Sequence, residues 1–96
     1  QHISERIIVD IPVNVINKIK GIRVFPSPQT VSLTLVGGVE QIAKIKPLDI
    51  SVTVDFSLWE LEKNFYMPEV LIPFDILSWK NLSPRSIELG VARESK

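Results

Sequence analysis

The chain has 96 residues, of which 45% are hydrophobic and 23% charged, and its 11 basic side chains balance its 11 acidic ones. These values predict a single globular domain over residues 1–96, with a core of modest size, and exclude a disordered chain. Because the charges cancel, the domain as a whole is not attracted to nucleic acid or to an anionic membrane. Local charged patches are still compatible with this balance. The absence of cysteine excludes disulfides, thiolate metal sites and cysteine nucleophiles.

Isoleucine and valine, 13 and 11 residues, make up a quarter of the chain and predict mostly strands, because β-branched side chains fit a pleated surface. The first predicted strand covers residues 6–16. Pro12 cannot donate a ladder hydrogen bond, so we expect an edge position or pairing on one side only at that point. Alternation with Arg6, Asp10 and Asn14 predicts that one apolar set faces the core: Ile7, Val9, Ile11, Val13 and Val15.

Further elements follow in chain order. After a turn at Gly21 comes a short strand, 22–25, and then a strand, 30–36, with Val31, Leu33 and Leu35 inward and Thr30, Ser32 and Thr34 outward. Helical spacing from Val39 predicts about two turns of helix that end before Pro47 and pack on a sheet. The remaining predicted extended segments are 50–56, 65–72 and 86–91.

Two stretches of the chain are nearly repeated. "SPQTVSLTL" at 27–35 matches "SPRSIELGV" at 83–91, and "IPVNVI" at 11–16 matches "IPFDIL" at 72–77. Proline fixes φ and pushes the preceding residue to an extended conformation, so each Ser-Pro predicts the start of a strand. We therefore expect an internal strand-turn-strand repeat, in which neither unit could bury its apolar face alone.

Taken in order, several segments between residues 7 and 91 resemble a YbbR-like domain. They are "IPVNVIN", "GIRVFPSPQTVSLTLVGG", "VEQIAKI", "LDISVTVDFS" and "NLSPRSIELGV". Each is degenerate alone, and their order and spacing carry the resemblance. It implies a mainly β fold whose strands wind round and cross the domain centre, with one short helix and a core over about 7–91.

The resemblance also implies a function. Such domains often occur in tandem outside the bacterial cell membrane, and one group regulates a membrane-bound diadenylate cyclase. We therefore expect a non-enzymatic, extracytoplasmic interaction or regulatory module, with envelope or membrane proteins and sister YbbR-like domains as partners. No apolar run reaches the ~20 residues needed to cross a bilayer, and Gln1 is not an initiator residue. We thus expect a fragment of a longer protein, anchored through a segment outside these 96 residues.

Residue chemistry points away from catalysis. His2 is the single histidine, which removes a two-histidine metal site, and no nucleophile or phosphate-loop motif occurs. Asp49 and Asp55 would lie ~20 Å apart in an extended strand, too far for a catalytic pair. We expect Asp55 to accept N–H bonds in the turn after its strand. Glu60 and Glu62 lack a third partner, so we expect no catalytic residue, cofactor or metal.

Trp59 and Trp79 are the candidate interaction residues, because an exposed tryptophan beside charges is typical of binding hot spots; alternatively, each covers an edge of the core. The alternative function is an RNA-binding β domain akin to ribosomal and stress-protein relatives. It would use two small basic clusters: Lys18, Lys20 and Arg23, and Lys44 with Lys46. The neutral total charge and the lack of interleaved aromatic residues make nucleic acid the weaker hypothesis.

Overall fold

The computed structural model describes residues 2–93, and these form a mainly β domain with one short helix, which confirms the predicted class. Two 3₁₀ turns, Pro47–Asp49 and Phe56–Leu58, flank the fourth strand. The regular elements are β1 (Ile3–Ile16), β2 (Ile22–Ser27), β3 (Thr30–Gly38), α1 (Val39–Ala43), β4 (Ser51–Asp55), β5 (Glu69–Leu71), β6 (Ser78–Ser83) and β7 (Glu88–Arg93).

Strand β1 crosses the centre of a five-stranded sheet with the order β5-β4-β1-β3-β6. It pairs antiparallel with β3 as far as Pro12 and parallel with β4 from Val13 onward. Pro12 is therefore paired with β3 alone, so its missing N–H leaves no gap in a two-sided ladder. The expectation of one-sided pairing at Pro12 agrees with this register.

The two Ser-Pro segments connect strands in matching ways. Ser27-Pro28 links β2 to β3, Ser83-Pro84 links β6 to β7, and both peptide bonds are cis. The units pair crosswise, because β2 forms a separate two-stranded ribbon with β7 while β3 pairs with β6 in the main sheet. The repeat of strand, Ser-Pro connection and strand is thus present, and each unit supplies the pairing partners of the other.

The upstream half of the predicted repeat is wrong. Residues 72–77 form a turn in which the Ile76 N–H donates to the Pro73 carbonyl at 3.1 Å, whereas 11–16 is strand. Phe74 points fully into solvent and Ile76 is buried. The strand that the sequence analysis missed, β6, comes directly after this turn; only Leu82 in it is half-buried, so the alternation that marks a strand is lacking.

The predicted core face of β1 is wrong in its first half. Ile7 and Val9 are 68% and 54% exposed, and Ile8 is buried instead. Asp10 has a φ of 59°, and the pairing with β3 shifts register between Ile8 and Ile11. This β-bulge adds one residue and reverses which side chains face inward, so the predicted face is correct only from Ile11 onward.

The core lies between the inner face of the curled sheet and α1. Thr34, which was predicted to face solvent, is 7% exposed because β3 lies between β1 and β6, where Ile7 and Lys80 pair directly with it. The main buried cluster comprises Ile8, Ile11, Val13, Val31, Leu33, Leu35, Ile42, Ile45, Ile50, Val52, Val54, Tyr66, Ile76 and Ile87.

Helix α1 is shorter than predicted and is stabilised by a side chain from the predicted polar face of β1. Arg6 Nη1 donates to the carbonyls of Ile42, Ala43 and Ile45 at 2.6, 3.2 and 2.9 Å. These carbonyls lie at the C-terminal end of the helix, where a positive charge is favourable. Arg6 therefore fastens α1 to β1 from the inner side of the sheet.

The bulge at Asp10 generates a stability prediction. A β-branched residue with positive φ is strained, so Asp10→Val should lower the free energy of unfolding by about 1–2 kcal/mol or more. Asp10→Gly accepts the same φ without a Cβ and should stay within about 0.5 kcal/mol of the unmodified chain. Urea unfolding midpoints measure both. Equal midpoints for the two variants would mean that the bulge does not depend on this conformation.

Candidate functional site

Trp79 lies on the edge strand β6 and lines an open concavity. It pairs with Leu35 of β3, which places its indole on the inner side of the sheet, yet 38% of the residue is exposed because no strand follows β6. The concavity has a volume of about 320 Å³, and its lining residues are Met67, Pro68, Trp79, Asn81, Leu82 and Arg85.

Curling of the sheet brings this lining together. Met67 and Pro68 lead into β5, at the opposite edge of the sheet order from β6. A bridge between Tyr66 and Ile87 holds them there: the Tyr66 N–H donates to the Ile87 carbonyl at 2.9 Å, and the return bond is 2.8 Å. Because Ile87 follows the Ser-Pro connection from β6, this bridge sets Met67 beside the Trp79 strand.

The lining is chemically suited to binding a protein surface. Tryptophan, methionine and arginine are enriched at the centres of protein interfaces, where a buried aromatic anchor and a guanidinium contribute most of the affinity. Met67 is 82% exposed, so its flexible thioether can adapt to a partner. Among residues 2–93, no three His, Cys, Asp or Glu side chains are grouped so that they could hold a metal ion.

Trp59, the other candidate, has a different environment. Its ring stacks on Phe56 with centroids 5.7 Å apart, and it packs half-buried against the core. It follows β4, whose last residue pairs with Ile16, whereas Trp79 is level with Arg6 on β1. Trp59 does not contribute to the lining of the Trp79 concavity, so the two tryptophans do not line the same depression. Their roles as contact residues stay predictions.

Asp55 has the turn role that the sequence indicates. Its Oδ1 accepts from the Ser57 N–H at 2.9 Å, from Ser57 Oγ at 2.7 Å and from Asn17 Nδ2 at 2.9 Å. These bonds, led by the one from Asn17, hold the pKa of Asp55 below its ordinary value because they stabilise the carboxylate. The Asn17 bond also ties the end of β4 to the loop that follows β1.

The other titratable candidates serve local structure or face solvent. Asp49 Oδ2 accepts the Lys46 N–H at 2.8 Å within its own turn, and the Glu60 N–H donates to the Tyr66 hydroxyl at 2.9 Å. The His2 side chain is exposed, and its carbonyl accepts the Val39 N–H at 3.1 Å. Lys44 and Lys46 are exposed beside α1, while the first basic cluster, at residues 18–23, lines an open concavity of its own.

The comparison with solved structures matches the fold. The chain is similar to the crystal structure of the YbbR-like domain of the lmo2119 protein from Listeria monocytogenes, with a TM-score of 0.73 and 21% identity over 97% of both chains. The predicted resemblance is thus confirmed for the fold: this chain has the fold of that YbbR-like domain. No family model and no curated protein matches the sequence. In residues 2–93, no helix has the length and apolar character to cross a membrane.

The hydrogen bonds of Asp55 predict a pH dependence. A carboxyl whose pKa is lower in the folded state stabilises the fold above its unfolded pKa of about 3.9, and this contribution disappears as the pH falls through the folded value. Asn17→Gly removes the main donor but keeps the φ of 60°, so the pKa of Asp55 should rise and the loss of stability in acid should shrink.

Carboxyl ¹³C NMR titration of Asp55 measures this effect. Asn81→Gly is the matched control, because Asn81 also has a positive φ, 59°, but does not bond to Asp55. The control variant should keep the pKa of Asp55. An unchanged Asp55 titration in Asn17→Gly would show that this amide does not set the pKa.

Proposed function

We propose that this chain is a non-enzymatic, extracytoplasmic module of a membrane-anchored protein, and that it binds an envelope or membrane protein through the concavity around Trp79. The observation that carries the proposal is the exposed indole on an edge strand, grouped with Met67, Leu82 and Arg85. Such a group offers an apolar anchor point and a cation side by side. The YbbR-like fold supports the proposal, since it agrees with the resemblance from which this function is inferred.

The lining also defines the chemistry of the partner. An aliphatic or aromatic side chain would pack against Trp79 and Met67, and a nearby acidic group would pair with Arg85, which makes no hydrogen bond or ion pair with the other described residues. The free edge of β6 offers backbone groups beside this concavity, so an extended segment could add to the sheet. Affinity and specificity would then come from the same strand.

We extend the proposal to regulation. A membrane-bound diadenylate cyclase is the preferred partner, and sister YbbR-like domains in the parent chain are further contacts. The basis is the resemblance of the "SPQTVSLTLVGG" and "DFS" segments, at 27–38 and 55–57, to this family. The RNA-binding alternative gains no support from the fold comparison.

Photo-crosslinking in the native cell tests the docking surface. A photoreactive phenylalanine analogue at position 79 of the parent protein should form a covalent adduct with an envelope or membrane protein, because the partner covers the concavity. Phe74 is the matched control position, since it is fully exposed and outside the lining. Mass spectrometry identifies the adduct, and a diadenylate cyclase subunit is the expected product.

The two positions give a clear decision. An adduct at 79 and none at 74 supports docking at the concavity, and an adduct with a protein other than the cyclase replaces the preferred partner. Equal adducts at both positions, or none at 79 although 74 reacts, would contradict the assigned surface.

The location is tested with a single introduced thiol, because the chain contains no cysteine. Phe74→Cys places a thiol at a fully exposed position. A membrane-impermeant maleimide should label this thiol in intact cells as completely as in lysed cells, with the unsubstituted parent protein as background. Labelling only after lysis would place the domain in the cytoplasm and overturn the proposed location.

A further inference from the structure

The far end of the β2–β7 ribbon carries a concentration of positive charge that the neutral total conceals. We call the basic tip the group formed by Lys18, Ile19, Lys20, Arg23 and Arg93. Arg93 joins the loop residues because it pairs with Ile22. No acidic residue occurs in 18–27 or in 89–93, while Glu94, next in sequence, lies outside the described residues.

The loop at this end has a defined shape. The Ile22 N–H donates to the Ile19 carbonyl at 3.3 Å, and Gly21 between them has a φ of 87°, as the third position of a type II turn requires. Asn17 begins the loop with a φ of 60° and is held by Asp55. The lysines on either side of Ile19 are therefore presented by an ordered turn.

An aliphatic side chain is displayed among these charges. Ile19 is 57% exposed and has Lys18 and Lys20 as its chain neighbours. Arg23 and Arg93 belong to opposite faces of the ribbon, because Arg23 pairs with Ala92 and Arg93 with Ile22. Cations thus lie on both faces of the ribbon at its end. This arrangement suits contact between the end of the ribbon and a flat anionic surface better than it suits a ligand bound along one face.

We propose that the basic tip contacts an anionic lipid membrane, with Ile19 inserted at the headgroup boundary and the basic side chains among the lipid phosphates. Lysine stems bury their methylenes beside an inserted aliphatic residue while the ammonium groups stay in the headgroup layer. Basic residues near such a surface each strengthen binding by about fivefold. The isolated domain should bind the membrane weakly. In a domain that is tethered to the membrane, the same contact would set the orientation of the domain.

Geometry favours a membrane over single-stranded nucleic acid. Stacking of bases requires a free aromatic face. Phe25 is the aromatic residue on the ribbon, and the Arg23 guanidinium carbon lies over its ring at 5.3 Å from the centroid. Arg23 and Phe25 lie on one face of the ribbon and line the same concavity as Ile19, so a base stacked on this ring would compete with the Arg23 guanidinium.

Vesicle co-sedimentation of the 96-residue chain tests the proposal. The probes are vesicles of equal parts phosphatidylcholine and phosphatidylglycerol, and vesicles of phosphatidylcholine alone, at low salt. The chain should sediment with the anionic vesicles only. Lys18→Gln with Lys20→Gln should weaken binding by about 25-fold. Lys44→Gln with Lys46→Gln, which removes the same charge beside α1, should leave it unchanged, and Ile19→Ser should weaken it without any change in charge.

Each outcome decides the proposal. No sedimentation with anionic vesicles, or equal losses in the two double variants, overturns it. Full binding by Ile19→Ser would show that Ile19 does not insert into the membrane. If a structured RNA binds more tightly and displaces the vesicles, the basic tip is a nucleic-acid site instead. All substituted side chains are exposed, so thermal unfolding should be unaffected. The proposal does not rest on Trp79, whose crosslinking is a separate readout.

Discussion

The crosswise pairing of the two Ser-Pro units is the constraint on which the rest of this domain depends. Strand β3 pairs with β6, and β2 pairs with β7, so the two strands within each unit do not pair with each other. These contacts join residues distant in sequence, and the loop-closure entropy they cost is offset only when both units are in place. The same pairing positions both candidate surfaces, since β6 carries Trp79 and β7 brings Arg93 to the lysine loop.

Much of this fold is predictable where one strand face is buried along its whole length. The inward residues predicted for β3, Val31, Leu33 and Leu35, are all buried, although Thr34 between them is buried too, and β4 alternates between buried and half-buried residues. Strand β1 breaks the rule, because one residue with positive φ reverses its pattern. Strand β6 has no pattern to read, because it is an edge strand with five exposed residues out of six. Local periodicity cannot report a bulge or a pairing partner.

The candidate surfaces differ in how far the sequence reveals them. The lysines of the 18–23 loop are neighbours along the chain, so they could be recognised as a cluster without a structure. The Trp79 concavity depends on the bridge from Tyr66 to Ile87 and on the curl of the sheet, neither of which leaves a local signal. Trp79 could be proposed as a contact residue from its residue type alone, but the residues around it could be identified only from the fold. Arg6 was missed because its partners are backbone carbonyls of a distant helix.

The relative positions of the two surfaces connect the two proposals. Trp79 is level with Arg6 on β1, whereas the basic tip follows the end of that strand at Ile16, and the domain is 55 Å long against 24 and 18 Å across. Ten residues of strand correspond to about 30 Å. A tip resting on the lipid surface would therefore hold Trp79, at one end of the concavity, away from that surface. A partner with most of its mass in the membrane could then reach Trp79 through a segment that projects from the membrane, so the domain would select partners by the length of that segment as well as by side-chain contacts.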